Sequence, residues 1–331
     1  MKKFLKVLGI ILVIFLLLSV GAYGMFKATY VPSHERREDP IEEVVVELPD
    51  PDPVKEEVVE PEKTEEELWQ ECIEDSDRVN VLLFGTDGYR ADTLIFLSYS
   101  KEENDIVMLT VPRDTKHEVE GMTAQGQDKI NAVFCFPGDM GGADNQRQAI
   151  EDILGVPIHY YVKVNYWGLI AIVDTLGGIN VTVPFDMDYD DKYAKPELHV
   201  HLDAGNQTLN GDQAMGYIRW RKNNDGTGDS DLARTQRQQD FILKVVKKSF
   251  GLNITKVIDV CYDYVRTDLT KEDILYYGSD LVSYDFNEVR RYSLPGEADY
   301  RYFYQDEDAT LDLLKEIYGF QMEDDFANNE D

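Results

Sequence analysis

The stretch Gly85-Thr86-Asp87-Gly88-Tyr89-Arg90-Ala91-Asp92-Thr93 sets two carboxylates on either side of an arginine, directly after the apolar run Val79–Phe84. In a turn at the end of a buried strand, Asp87 and Asp92 suit a hard divalent cation, Mg²⁺ or Mn²⁺, which takes oxygen ligands. The simpler account is two turn-forming acids. A second cluster, Val111-Pro112-Arg113-Asp114-Thr115, follows another apolar run. The planar fork of Arg113 matches two phosphate oxygens at once, or else pairs with Asp114. Lys129 adds a cation shortly afterwards. The third cluster contains Arg219 and Arg221, two apart on an expected strand and therefore on one face. Beyond a Gly- and Asp-rich loop come Asp231, Arg234, Arg237 and Gln238. Spacings of three and four put Asp231, Arg234 and Gln238 along one side of an expected helix, with Arg237 beside them. Four arginines gathered in an acidic chain point to a dianionic or pyrophosphate ligand. A surface balanced by Asp225, Asp229 and Asp231 is the competing account.

Other chemistries lack their signatures. Gly-x-Ser-x-Gly, His-Glu-x-x-His and Walker patterns do not occur, which removes serine hydrolase, zinc protease and NTPase readings. His199 and His201 share one face of an expected strand but lack a third metal ligand. Cys72, Cys135 and Cys261 are too few and too scattered for a disulfide framework or zinc site, and read as small core residues.

The elements that must position these clusters alternate between strand and helix. Strands are expected at Val79–Phe84, Thr93–Ser100 and Ile106–Val111, the last two separated by the polar turn 101–105. Helical spacing over Asp144–Leu154 stops at Gly155-Val156-Pro157. A strand over His159–Asn165 leads to a helix over Trp167–Leu176, closed by Gly177-Gly178, and then to a strand over Ile179–Val183. Asn210 is the expected N-cap of a short helix leading into Tyr217–Arg221, and Asp231–Phe250 reads as a longer amphipathic helix. No internal repeat is visible. Alternation of this kind implies a layered α/β domain.

Composition supplies the setting. The chain has 331 residues, 43% hydrophobic, with a formal net charge of −31. Such an excess of acid excludes non-specific binding of nucleic acid, which needs surplus Lys and Arg to neutralise phosphate. Residues 1–6 carry three lysines and precede an uncharged apolar run over 7–26. At ~1.5 Å rise per residue, that run matches a bilayer core of roughly 30 Å. It reads as one transmembrane signal anchor with a cytoplasmic N-terminus and an extracytoplasmic remainder; a cleaved signal peptide usually has a shorter core. Residues 27–67 read as an acidic, Pro-rich, disordered stalk: from Glu35 to Glu67, fifteen acids face four bases, with five prolines. The folded domain is expected over 68–321, and 322–331 as an acidic tail.

With these residues in view, the chain resembles the LytR-CpsA-Psr family of bacterial cell-wall proteins over roughly 78–250. The matching stretches include Val81–Asp87, Arg90–Thr93, Val111–Thr115, Lys129–Ala132, Val173–Ile179, Leu209–Ala214, Tyr217–Arg221 and Arg234–Gln239. A looser echo follows in Leu294-Pro295-Gly296 and Tyr302-Phe303-Tyr304. The resemblance implies a three-layer α/β/α domain with a mixed central sheet and an apolar groove for a polyprenyl chain. It further implies that Asp87 and Asp92 hold the metal or help activate an acceptor hydroxyl. Arg90, Arg113, Arg219, Arg221, Arg234 and Arg237 would bind pyrophosphate, with Lys129, Gln238, Asp231 and Asp114 in support. The turn from Asp87 to Asp92 is shorter than in many members, and Ala233 stands where a glycine is usual. The implied activity moves a glycopolymer phosphate from a polyprenyl-pyrophosphate carrier at the cytoplasmic membrane to a peptidoglycan hydroxyl. Hydrolysis of the same donor and non-catalytic lipid binding are the alternatives, and the charge and anchor speak against a transcriptional regulator.

Overall fold

The computed structural model describes residues 24–35, 63–87, 89–194, 196–249, 257, 259–260 and 263–321. Most of the expected anchor, residues 36–62 of the expected stalk and the tail 322–331 lie outside them. Among the described residues no helix is long and apolar enough to cross a membrane.

The chain enters the domain through α1 (Glu65–Glu74), which starts inside the acidic run rather than after it. Thr64 and Glu67 form a reciprocal capping box, and Trp69 and Ile73 bury one face of the helix. These local signals outweigh the acidic composition. Three strands follow: β1 (Val79–Thr86), β2 (Ala91–Ser100) and β3 (Asp105–Val111). A 3₁₀ turn over Ile130–Cys135 leads to α2 (Ala143–Leu154), which ends on left-handed Gly155 as its sequence predicts. Next come β4 (Tyr160–Asn165), α3 (Tyr166–Thr175) and β5 (Ile179–Val183). A hairpin of β6 (Met187–Asp191) and β7 (Leu198–Leu202) precedes β8 (Gly205–Leu209), which pairs with β5. Then follow α4 (Gly211–Arg219), α5 (Asp231–Ser249), β9 (Val265–Thr267), α6 (Lys271–Leu281) and β10 (Arg290–Ser293). The chain closes with β11 (Gly296–Ala298), β12 (Phe303–Gln305) and α7 (Glu307–Ile317).

The central sheet is mixed, in the order β10-β3-β2-β1-β4-β9. β1 runs antiparallel to β2 and parallel to β4, and β3 runs parallel to β10. The period of two sends alternate side chains to opposite faces. Leu82, Phe84, Leu94, Phe96, Val107, Leu109 and Val111 enter one core, packed with apolar residues of α1, α2 and α7. On the other face, α3, α4 and α5 build a second core with the β5–β8 and β6–β7 pairs and with Val162, Val164 and Val265. That second face is unevenly covered. At one edge, Gln239 of α5 donates to Thr110 Oγ1 at 2.8 Å. At the other edge, β4 and β9 lie against the second core. Between them Val81, Leu83 and Leu97 remain partly exposed on the two middle strands.

A separate unit comprises residues 24–35 and 269–281 among those described. Residues 24–29 are helical. Lys27 pairs with Asp280 at 2.8 Å, and Asp273, fully buried, accepts from Ser33 N at 2.9 Å and Ser33 Oγ at 2.6 Å. Residues 27–35, expected as the start of the stalk, are thus held by specific partners.

Candidate functional site

The site gathers where β1 and β3 end and α3 begins. Gly85 pairs with Thr93 and Thr86 with Ala91, so Asp92 is an extra residue in the β1–β2 ladder. Such a bulge re-aims a side chain. Ala91 and Leu94 both enter the first core, which leaves Asp92 turned away from it. Its Oδ1 accepts from Arg113 Nη1 at 3.1 Å. Asp87 forms an Asx turn, its Oδ1 accepting from Tyr89 N at 3.3 Å and Arg90 N at 3.2 Å. This short turn brings the Asp87 carboxyl to that of Asp92. Burial pushes the Asp92 carboxyl above its ordinary range, Arg113 opposes the rise, and Asp87 adds to it by charge and hydrogen bonding.

Arginines surround this pair. Arg113 is half exposed and also lies 3.8 Å from Asp114. Asp114 in turn accepts from Lys129 Nζ at 2.8 Å. Arg90 donates to Asn131 Oδ1 at 3.1 Å, and Asn131 N donates to Arg113 O at 3.3 Å, so both arginines share one support. Arg219 lies 4.5 Å above the ring of Tyr166, the first residue of α3. Burial pushes the Tyr166 phenol up, with Arg219 opposing and Asp92 and Asp87 adding to the rise. Tyr166 is therefore in electrostatic reach of the carboxylate pair. Sequence reasoning missed it. Its signal was local: an aromatic residue after a strand, just past Asn165, which caps α3 by accepting from Gly168 N.

The third cluster differs from its expected form. Arg219 does not lie on a strand with Arg221. An Asn210–Gln213 capping box starts α4, and buried Ala214, Met215 and Tyr217 carry it through Arg219. Trp220 ends the helix with extended backbone, and Arg221 stands beyond it, exposed. The same-face relation between the two arginines is lost because the helix continues to Arg219. Arg237 is also placed differently. It is buried, with Nη1 2.5 Å from Asp229 Oδ2 and Nη2 donating to Trp220 O at 2.6 Å. The rings of Trp220 and Tyr217 enclose it at 5.2 Å and 5.6 Å. A guanidinium so enclosed braces α4 against α5, while its Nε is buried without a hydrogen-bond partner among the described residues. Arg234, one turn earlier, is partly exposed, and Gln238 donates to Ile218 O at 3.0 Å. Asp231 opens α5.

The other expectations resolve simply. His199 and His201 both stand on the exposed face of β7, opposite Asp190 and Asp188. Cys72 is partly buried, but Cys135 is exposed rather than a core residue; both thiols are free. The 3₁₀ turn sends Asn131, Ala132 and Val133 inward and leaves Cys135 outside. Cys261 lies outside the described residues. Among the described residues no group of three or more His, Cys, Asp or Glu is arranged to hold a metal ion.

Comparison with known proteins adds a second line of observation. A profile of the LytR_cpsA_psr family matches residues 51–318. The polyisoprenyl-teichoic acid–peptidoglycan teichoic acid transferase TagU of Bacillus subtilis is 34% identical over 259 residues, covering 74% of this chain and 78% of that protein. The TagU of Halalkalibacterium halodurans is 35% identical over 207 residues, 60% of this chain and 63% of its own length. Among solved structures, B. subtilis TagU aligns with a TM-score of 0.54 at 33% identity, covering 74% of this chain and 96% of that one. A structure described as TagT bound to LIIa-WTA aligns with a TM-score of 0.56 at 26% identity, covering 73% and 89%.

Proposed function

The chain belongs to the LytR-CpsA-Psr family, and we propose that it transfers a teichoic-acid-type glycopolymer phosphate from a polyprenyl-pyrophosphate carrier to a peptidoglycan hydroxyl. The observation that carries this reading is the meeting of the Asp87–Asp92 pair with Arg113 and Arg219–Tyr166 at one end of a sheet face on whose middle strands Val81, Leu83 and Leu97 stay partly exposed beside buried Ile95. Val81, Leu83 and Leu97 line that strip, offering apolar surface to a lipid chain whose phosphates reach the arginines.

In this reaction the acceptor hydroxyl oxygen forms a bond to the glycopolymer-proximal phosphorus. The bond from that phosphorus to the bridging oxygen breaks, and polyprenyl phosphate leaves with the electron pair. The hydroxyl proton passes to a carboxylate. Asp92 suits that task, because its raised pKa brings it nearer to working pH than an ordinary aspartate. Phosphoryl transfer otherwise needs positioning and neutralisation of charge on the phosphate oxygens. Arg113 and Arg219 supply that charge, Arg90 and Lys129 stand close behind, and Arg234 and Arg221 extend the cationic side, with Gln238 as a neutral support. Arg237 serves indirectly, by fixing the α4–α5 junction.

A hard cation fits the donor set. Asp87 and Asp92, adjacent carboxylates, would offer such an ion oxygen ligands and excess negative charge. Mg²⁺ or Mn²⁺ held by Asp87 and Asp92 would supply further positive charge to the phosphate oxygens. Residues 7–26 would anchor the chain at the membrane where a lipid-linked donor resides.

The test uses the full chain in detergent with a synthetic polyprenyl-pyrophosphate oligosaccharide, peptidoglycan fragments and Mg²⁺. Mass spectrometry should find a phosphodiester-linked adduct that Asp92→Asn reduces by roughly 10²–10³-fold. Release of phosphorylated glycan without adduct would replace transfer by hydrolysis. Calorimetric Mg²⁺ binding should weaken in Asp87→Asn; equal binding would remove the cation from this pair.

A further inference from the structure

Arg90 stands between Asp87 and Asp92 in sequence, yet among the described residues its guanidinium pairs with neither. Arg78, Arg113, Arg147, Arg237, Arg290 and Arg291 each meet a carboxylate at ion-pair distance. Arg90 instead donates through Nη1 to Asn131 Oδ1 at 3.1 Å. A guanidinium has only donors, so the amide atom that faces it is the carbonyl oxygen. The backbone of Arg90 stays with the carboxylates. Its N donates to Asp87 Oδ1 at 3.2 Å, and its carbonyl accepts from Asp87 N at 3.4 Å. Only the side chain is drawn away.

Asn131 is firmly mounted for that task. It is 4% exposed and sits in the 3₁₀ turn that begins at Ile130. Ile130 N donates to Thr115 O at 2.9 Å and Asn131 N to Arg113 O at 3.3 Å, which fastens the turn to the segment after β3. Gln146 of α2, fully buried, grips the turn a second time. Its Nε2 donates to Ile130 O at 3.2 Å and its Oε1 accepts from Phe134 N at 3.1 Å. Gly126 also borders the guanidinium, with φ at +78°; a Cβ built there would stand 3.5 Å from Arg90 Nη2.

We propose that Asn131 is a positioning residue whose amide oxygen holds the Arg90 guanidinium off the Asp87–Asp92 pair and ready for a phosphate oxygen of the donor. The inference rests on the transfer reading given above. An arginine three residues from one carboxylate and two from the other would otherwise fold onto them, as Arg113 does onto Asp92. Such a pairing would cancel charge on both sides. A neutral acceptor satisfies one N–H, leaves the positive charge whole and keeps the other donors of the fork for an anion.

The experiment uses the full chain in detergent and measures binding of the synthetic polyprenyl-pyrophosphate oligosaccharide by calorimetry, separately from transfer. Asn131→Leu keeps the shape of the side chain and removes the acceptor. It should raise donor Kd and donor KM about tenfold, as loss of one hydrogen bond to a charged group predicts, with acceptor KM unchanged. In an Arg90→Ala chain the same substitution should weaken donor binding no further, because its effect passes through Arg90. Where Asn131→Leu fails to fold, Asn131→Ala enters the same cycle. A structure of the folded variant should show Arg90 on Asp87 or Asp92. Equal losses in the parent and Arg90→Ala chains would make Asn131 a purely structural residue and overturn the proposal. So would unchanged donor affinity in the folded single variant, or an Arg90 that keeps its parent position. The expected binding pattern in a chain that performs no transfer would sink the transferase reading and leave Asn131 its role.

Discussion

Arginines meet carboxylates at both ends of the central sheet, and the two meetings differ in kind. At the end where β1 starts, Arg78 is buried and lies 2.8 Å from Asp105, which also accepts from Arg290 at 2.6 Å and 3.0 Å. Glu103 completes the group with Arg78. Burial opposes ionisation of Asp105, but hydrogen bonds from Arg290 and Arg78 outweigh it and hold its carboxyl below the usual range. At the other end, Asp92 shares its surroundings with a second carboxylate and has one hydrogen bond from half-exposed Arg113, and its pKa rises. The first group is matched within itself and closes the fold. The second leaves carboxylate beside carboxylate and guanidinium surface open to solvent, a mismatch that a charged ligand would relieve.

Removing a member of the matched group should have the largest effect. Arg78→Ala removes one of the two arginines that hold Asp105, unpairs half-exposed Glu103 and empties a fully buried position, and is expected to cost about 3 kcal/mol of stability. Transfer per folded molecule should survive. Arg237 tests where the distinction falls, since it was assigned to ligand binding from sequence yet is paired with Asp229 and buried. Arg237→Ala is expected to behave like Arg78→Ala, with a destabilisation of the same order in urea unfolding. A chain of normal stability that has lost only transfer would return Arg237 to the reacting site.

The mismatched end should show the reverse pattern. Arg113→Ala is expected to lower transfer by roughly 10²-fold while changing stability by no more than about 1 kcal/mol, because its pair with Asp92 is half exposed. Equal losses in both measurements would erase the contrast. Leu83→Asn probes the strip between the coverings of the second face. Its partly exposed side chain predicts a modest stability loss with a severalfold rise in donor KM, whereas Phe84→Ala on the closed face should cost about 3–5 kcal/mol. Folded Leu83→Asn with unchanged donor KM would remove the strip from the lipid path.

These comparisons also show where the sequence was legible. The strands β1, β2 and β3 and the helices α2, α3 and α5 follow from period and punctuation, because Gly155 and the Gly177-Gly178 pair mark their own stops. The Asp87–Asp92 turn and Arg113 were legible because short polar clusters follow apolar strands. Arg219 and Arg221 were misread because five residues of mixed character fit either period, and burial of Tyr217 and Trp220 decided for helix. The surroundings of Arg237 were not legible for a related reason: spacing identifies a helix side, but not the pairing with Asp229 and with a carbonyl at the end of α4. Tyr166 comes from distant sequence, and only folding brings it to the carboxylates.

The smallest expected effect is a separation in pH. Asp105 has a depressed pKa, so its contribution to stability is present above about 3.9 and fades as pH falls through its folded value. Asp92 has a raised pKa, so the folded state holds its proton more tightly than the unfolded state does. Acidification through that value therefore stabilises the fold slightly while removing the charge that transfer needs. Transfer should decline on the acid side at a pH where tryptophan fluorescence still reports an intact domain. Asp87→Asn should move that limb to lower pH on the residual activity, since Asp87 raises Asp92; Arg113→Ala should move it higher. If activity and fluorescence fall together, the raised carboxylate is not the group that limits transfer, and the two ends of the sheet do not divide stability from chemistry.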